Sequence, residues 1–363
     1  MIPRRSTLVV AMWLLVGMLV GWFAGTGSVA AQTDTGAVPL HVEQVKPGVF
    51  VHLGALEDWG PANGGDVANL GFIVGNRCVA VVDTGGTPRV GQALRAAVER
   101  STSLPICYVI FTHAHPDHML GSVAFSDPTR VASTPDPIFV AGARYQRTLA
   151  AREPFYLNAL QRDFGIALTH RSVVYPTLTV DKTLDLDLGD RVLTLSAWPT
   201  AHTDNDITVY DRRTRTLFAS DLLFVQHLPV LDGSLRGWLS VMADLRRLDV
   251  ATVVPGHGAV SDDWPAAMDA QAAYLNALLR DTRAAVRARL TIQQAVDRIE
   301  VAGSAPWRLT DRFHRRNVTA AYVELEWEDE PPPPPAASSA SRSAGIAGST
   351  GSPAVPARKD RTP

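Results

Sequence analysis

The sequence predicts an α+β fold in which short strands and amphipathic helices alternate along one long domain. Three observations carry that prediction. Apolar residues alternate along paired runs separated by Gly-containing turns, which is the pattern of antiparallel hairpins. Between residues 78 and 111 an apolar run, an amphipathic stretch and a second apolar run follow one another, a strand–helix–strand order that makes a parallel crossover unit. Loops bearing histidine and aspartate come directly after several of the strands, and folds of this kind keep their sites at the carboxyl ends of their strands.

The elements follow in order. Residues 40–54 alternate around Val42, Val45, Val49 and Val51, with Pro47-Gly48 as the turn of an opening hairpin. Residues 56–65 read as loop, because Trp59, Pro61 and three glycines break any period. A strand over 69–74 turns at Gly75-Asn76 into a partner over 78–82, which Asp83 to Gly86 closes. Asp83 has two readings here, a turn former and helix cap or a carboxylate placed beneath the loop that follows the next strand. Residues 88–100 predict a helix with Val90, Leu94, Ala97 and Val98 on one side. Residues 143–165 predict another around Tyr145, Leu149, Phe155, Leu157 and Leu160, interrupted at Pro154. Residues 184–198 alternate again about a Gly189-Asp190 turn, and 207–210 pairs with 216–219 across 211–215. Ser234 is placed to cap a helix whose apolar side is Trp238, Val241, Met242, Leu245 and Leu248. A short buried strand at 252–254 leads into Pro255-Gly-His257-Gly258. Met268, Leu275, Leu278, Leu279, Thr282 and Val286 form one stripe of a long helix, followed by a shorter helix from Ile292 and a last one over 317–326.

The balance of 34 basic against 36 acidic residues gives no cationic excess for nucleic acid. A hydrophobic content of 46% is enough for a large core. Residues 1–31 read as an export signal: Arg4 and Arg5 precede an apolar run, and Val29-Ala-Ala31 offers small residues for cleavage. The run is also long enough to serve as an uncleaved membrane anchor. Either way the rest of the chain is expected in an oxidising, extracytoplasmic space, the periplasm. The domain is expected over 40–328, and the Pro-, Ala- and Ser-rich residues 331–363 form a disordered tail.

The densest chemistry is Phe111-Thr-His-Ala-His-Pro-Asp-His118, directly after the apolar run 106–111. The spacing of His113, His115, Asp117 and His118 is not helical, so a tight loop is expected to turn them toward one point. A lone His-x-His fits a surface loop equally well; three histidines and a carboxylate within six residues suit Zn²⁺ or Fe²⁺. His202, Asp221 and His257 each follow a later strand. Together these residues supply donors for two ions. His113, His115 and His202 would hold one, Asp117, His118 and His257 the other, and Asp221 would bridge. Taken singly, His202 and His257 would be ordinary loop residues and Asp221 a turn residue.

The order of these residues, ending in Pro-Gly-His-Gly, resembles the metallo-β-lactamase-fold hydrolase superfamily over roughly residues 40–328. The resemblance implies a four-layer αββα sandwich with a dinuclear zinc site at one edge, although iron or manganese suits the same donors. It implies a hydrolase that activates water between the two ions, with Asp117 receiving the proton. The substrate would be a small molecule: an ester, thioester, lactone, phosphodiester or relative. His227 and Asp232 are candidate substrate contacts, with a solvated loop as the plainer reading.

Flanking segments narrow the likeness. Asn69-Leu-Gly-Phe-Ile-Val74, Trp198-Pro-Thr-Ala-His-Thr-Asp-Asn-Asp206, His227-Leu-Pro-Val-Leu-Asp-Gly-Ser-Leu-Arg-Gly-Trp238 and His314-Arg-Arg-Asn-Val-Thr319 resemble the quinoprotein relay system zinc metallohydrolases. That likeness implies a link to quinoprotein dehydrogenase or c-type cytochrome partners. Two departures stand out. Asp206 replaces a small residue found in many relatives. Asp221 stands where the zinc β-lactamases have Cys or Ser, so lactam hydrolysis is not favoured. An iron-dependent sulfur dioxygenase and a non-catalytic maturation factor are the competing readings.

Cys78 and Cys107 lie at similar depth on strands expected to be parallel neighbours. A spacing of about 4.8 Å permits a disulfide, whereas parallel side-chain directions oppose one. A bridge and two buried thiols are both open on this reasoning.

Overall fold

Successive residues of the central strands enter different cores. Val79, Val81, Val109 and Phe111 pack on one side, and Ala80, Val82 and Ile110 on the other. Strands buried on both faces are what a sheet covered on both sides requires. The computed structural model describes residues 39–126, 136–302 and 306–328. The expected signal at 1–31 and tail at 331–363 lie outside these residues.

The first sheet runs in chain order: β1 (Glu43–Lys46), β2 (Val49–His52), β3 (Leu70–Val74), β4 (Val79–Val82), β5 (Ile106–Ile110), β6 (Ile138–Gly142) and β7 (Leu178–Val180). Its pairs are antiparallel to β4 and parallel beyond. The second sheet holds β8 (Thr183–Asp187), β9 (Val192–Ala197), β10 (Ile207–Asp211), β11 (Thr216–Phe224) and β12 (Thr252–His257) in the order β12-β11-β10-β9-β8. Only β11 and β12 are parallel there.

Three cores separate four layers. The helices α1 (Pro88–Ser101) and α3 (Tyr145–Phe164) cover the first sheet through Leu94, Val98, Tyr145 and Leu149. Val49, Ile73, Ile110, Leu193, Val209 and Phe218 fill the space between the sheets. α4 (Leu235–Leu245), α5 (Asp269–Arg287), α6 (Ile292–Arg298) and α7 (Thr310–Leu325) pack with Leu217, Ala219 and Val253 of the second sheet. This is the expected αββα sandwich. Trp238 anchors the outer core, fully buried, with its indole donating to the Leu222 carbonyl at 3.1 Å. Among the described residues no helix is long and apolar enough to cross a membrane.

Several local expectations are corrected. Pro116–Met119 forms one helical turn, α2, rather than open loop; Pro116 occupies its first turn, where its fixed φ suits a helix and its missing N–H costs nothing. α3 runs through Pro154 unbroken. Pro154 and Ala150, whose carbonyl loses its partner, are both exposed to water. α4 stops at Leu245, leaving Leu248 38% exposed outside the core. β11 and β12 extend beyond 219 and 254, and so carry Asp221 and His257 within the sheet rather than in loops. β6 and β7 had no sequence counterpart.

Cys78 and Cys107 are bonded, with Cα atoms 5.7 Å apart. The register removes the objection from parallel side chains. Val79 faces Ile106 while Ala80 faces Tyr108, so Cys107 is the extra residue of a bulge, and a bulge re-aims its side chain. Thiol titration of the unfolded protein without reductant should find no free thiol. With a sequence separation of 29, the Cys78→Ala/Cys107→Ala double variant should lose about 3–4 kcal/mol of stability by loop entropy.

Candidate metal centre

The two halves of the sandwich deliver their polar residues to one edge. β5 runs into His113 and His115, and α2 adds Asp117 and His118. His202 lies in the connection between β9 and β10, Asp221 within β11, and His257 at the end of β12. One donor atom each from His113, His115, His202 and Asp221 falls within 4.8 Å of the others, and the same holds for Asp117, His118 and His257. Asp221 also reaches the second group. Its Oδ1 lies 3.1 Å from His118 Nε2, and its Oδ2 lies 3.3 Å from His202 Nε2, 3.5 Å from His257 Nε2 and 3.7 Å from His113 Nε2. Asp117 Oδ2 stands 3.5 Å from His257 Nε2 and 3.6 Å from His118 Nε2. The structure thus brings together all seven candidate metal ligands singled out in the sequence.

The donor set fits metal ions. His113 Nε2, His118 Nε2 and Asp221 Oδ1 are buried and make no well-formed hydrogen bond, although His118 and Asp221 lie close. The outward nitrogens are all held, which fixes ring orientation as second partners do at metal sites. His118 Nδ1 meets Asp83 Oδ2 at 2.9 Å, and His113 Nδ1 meets Thr112 Oγ1 at 3.1 Å. The carbonyls of Val230 and Val67 accept from His202 Nδ1 at 2.7 Å and His257 Nδ1 at 2.9 Å. His115 is inverted: Nε2 pairs with Asp232 at 2.8 Å, and Nδ1 faces His202 Nε2 at 3.1 Å. Asp83 therefore lies beneath the metal loop, accepting also from Thr112 N at 2.8 Å and Thr112 Oγ1 at 2.7 Å. The helix cap is Thr87 instead.

For the side chains alone, burial pushes His113 and His202 down, His202 to about 4. Burial also opposes charge on His118, but Asp221, Asp117 and Asp83 outweigh it and hold that ring well above the usual value. Burial works against the Asp221 charge, and the surrounding histidines more than reverse it. The result is an anionic carboxylate inside a shell of imidazoles, the charge distribution a divalent ion stabilises.

The sequence profile of the metallo-beta-lactamase superfamily matches residues 63–257. That range spans more than half of the 363 residues and contains every one of the converging residues. The chain belongs to the metallo-beta-lactamase superfamily. Among solved structures, a metallo-beta-lactamase from Pontibacter korlensis superposes with a TM-score of 0.52 at 18% identity, covering 65% of this chain and 99% of that one. The stereoselective inverting sec-alkylsulfatase Pisa1 from Pseudomonas sp. gives a TM-score of 0.60 at 15% identity, over 80% of this chain and 50% of that one. The chain thus matches half of the sulfatase. Among curated protein sequences no match reaches significance.

Superfamily members are mostly metal-dependent hydrolases, and this chain builds its candidate site with particular supports. Gly256 cannot carry a side chain, because a Cβ there would stand 1.8 Å from Asp221 Oδ1. Asn69 clamps the same loop, donating through Nδ2 to the carbonyls of Pro255 at 2.9 Å and Gly258 at 2.8 Å. Ser220, at φ 47°, accepts a left-handed backbone to present Asp221, and its hydroxyl joins Thr112 at 2.7 Å. Asp206, the departure noted in the sequence, closes the turn that bears His202. It accepts from Thr203 N at 2.9 Å and Thr203 Oγ1 at 2.5 Å.

A cavity of about 530 Å³ opens over the centre. Its walls include Asp117, His227 and Asp232, with Arg152, Phe155 and Tyr156 from α3 and Phe313 from α7. Asp232 is already engaged by His115 and ion-paired with Arg152. Burial raises its carboxyl, but those two partners bring it well below the usual range. His227 donates through Nδ1 to the Leu228 carbonyl, 2.7 Å away, and its ring packs on His257 at 4.8 Å. Sequence reasoning missed Arg152, Tyr156, Thr112 and the clamp by Asn69. Only the helical period of α3 could have pointed to the first two.

Two outcomes follow. Gly256→Ala should displace Asp221 and cut metal content at least tenfold, read by elemental analysis of the purified protein. Burial pushes Asp206 up to about 7, above its ordinary value near 3.8. A raised carboxyl pKa favours the fold when protonated, so its contribution falls as pH climbs from about 4 to about 7 and is flat above. Urea melts of metal-free protein across that window should show a steeper loss in the wild type than in Asp206→Asn.

Proposed function

We propose that this protein is a dinuclear zinc hydrolase of small-molecule esters, thioesters, lactones or phosphodiesters. The observation that carries the reading is Asp221, a buried carboxylate within 3.7 Å of imidazole nitrogens from both donor groups. Two sites sharing one carboxylate are the arrangement for two ions. His113, His115 and His202 would hold one ion, Asp117, His118 and His257 the other, and Asp221 stands within reach of both groups. Zinc, when bound, supplies a Lewis acid and lowers the pKa of water to about 7.

The chain's own residues do the rest. Asp83, Thr112, Asp232 and the carbonyls of Val67 and Val230 keep the five rings aimed inward. Of the two carboxylates of the set that border the cavity, Asp117 is the more exposed, at 15% of its side chain against 4% for Asp221, and so is placed to take the proton from attacking water. It passes that proton to the leaving group when the scissile bond breaks. Phe155, Tyr156 and Phe313 offer apolar walls to the substrate body, and Arg316 a cation at the rim.

The same reading places the protein in the periplasm, exported by the segment at 1–31, alongside a quinoprotein dehydrogenase or c-type cytochrome system. The Cys78–Cys107 bridge supports an oxidising compartment. The quinoprotein link rests on the sequence motifs around His202, His227 and His314.

Protein purified without added metal should carry two zinc ions per chain; one iron would replace this reading with the sulfur dioxygenase. Asp221→Ala should retain one ion or fewer and lose activity by about a thousandfold. A panel of thioester, lactone, phosphodiester and lactam substrates, with alkyl sulfate added because of the sulfatase likeness, identifies the class. No turnover of any member by the dizinc protein would favour a maturation factor.

A further inference from the structure

Tyr156 lies on α3, 5% exposed, and borders the cavity together with His115, Asp117, Asp221 and His257. Its hydroxyl is buried beside the Arg152 guanidinium, which can only donate to it, and its own proton meets no acceptor among the described residues. Leaving such a group unpaired costs roughly 1–3 kcal/mol. Tyr274, equally deep but remote from the cavity, satisfies its hydroxyl with Asn317 at 2.9 Å and His314 at 3.1 Å. Tyr145 is also unpaired, yet it sits inside the core between α3 and the first sheet, where no ligand enters. Tyr156 alone among these three tyrosines borders the space above the candidate centre.

We propose that the Tyr156 hydroxyl is a catalytic hydrogen-bond donor to the substrate oxygen on which negative charge builds, the terminal oxygen of an acyl or phosphoryl ester. The proposal rests on the hydrolase reading and names what the substrate must present: an oxygen free to enter the pocket beside α3. Burial keeps the phenol protonated, its pKa pushed up to about 12 against the pull of the Arg152 guanidinium. The residue is therefore a donor at neutral pH. Arg152 leaves that proton free, because a guanidinium donates and cannot accept; its own charge is paired with Asp232, and it leans on His115 Nε2 at 3.4 Å.

The step balances without an added reactant. The oxygen of water bonds to the electrophilic carbon or phosphorus, and an electron pair moves onto the terminal oxygen. Tyr156 donates a hydrogen bond to that oxygen and keeps its proton. The pair then returns, the bond to the leaving group breaks, and the leaving group departs with the bonding pair and takes the proton held by Asp117. A donor placed for developing charge is typically worth 10²–10³ in kcat.

The test is Tyr156→Phe in the zinc-loaded, full-length protein, with two readouts. The first is turnover of the panel substrate cleaved by the wild type. The second is calorimetric affinity for inorganic phosphate, a tetrahedral oxyanion that needs no turnover. The expected result is unchanged zinc content and melting temperature, kcat lower by about a hundredfold with KM within threefold, and phosphate binding about tenfold weaker. Three results overturn the proposal: kcat and phosphate affinity both within threefold of the wild type, loss of zinc from the variant, or no phosphate binding by the wild type. A wild type that binds phosphate Tyr156-dependently but cleaves nothing overturns the hydrolase reading and leaves the donor role standing.

Discussion

A carboxylate with 4% of its surface exposed is costly to keep charged, and Asp221 is kept charged by four imidazoles whose nitrogens lie 3.1–3.7 Å away. Buried charge of that kind costs several kcal/mol unless compensated. Much of the surrounding backbone is shaped by the need to place that group. β11 changes register against β12 on either side of Ser220, which leaves Asp221, still within the strand, without a paired residue on β12. Gly256 leaves room for its oxygen, and Asn69 reaches across from the first sheet to hold the loop that carries Gly256. The two sheets are thereby locked together at the edge where the donors meet.

The topology explains why that edge exists. β4 through β7 are parallel, and so are β11 and β12, while the remaining pairs are antiparallel. Parallel neighbours end at the same side, so each half gathers its carboxyl ends in one place. β5 contributes the His-rich turn, β11 the shared aspartate and β12 the last histidine. The core between the sheets, from Val49 to Val254, sets their faces together and so brings the two sets of ends into register.

The sequence made the donors legible because their chemistry is dense and their order diagnostic. His113, His115, Asp117 and His118 crowd six positions, and each later donor follows an apolar run. Layering was legible for the same reason that the strands are: an unbroken apolar run marks β4, alternation at period two marks β9, and a helical stripe marks α1 and α5. What was not legible depends on contacts between distant segments. β7 has three residues and β6 is not flanked by alternating partners, so neither shows a period. The hydrogen bond from His118 to Asp83 spans 35 positions and that from Asn69 to Gly258 spans 189. Cys107 sits at a bulge that only the pairing of β4 with β5 reveals. Tyr156 belongs to a helix face indistinguishable in sequence from core, because an aromatic at a buried helical position is usually packing.

The ring supports also give the centre a stiff end and a soft end. His118 is held by a carboxylate at 2% side-chain exposure, and His202 and His257 by backbone carbonyls within the fold. These anchors move only if strands move. His115 is held instead by Asp232, whose side chain is 30% exposed and whose other partner, Arg152, is 37% exposed on the cavity wall. A screened, partly solvated pair constrains its partners less than a buried one does. His115 is thus the imidazole whose position is set at the cavity surface, through side chains that an anionic or bulky substrate would touch. Charge entering the cavity meets the Asp232–Arg152 pair on its wall. The soft end and the substrate side coincide because α3, the helix that carries Arg152, is also the wall on which Phe155 and Tyr156 stand.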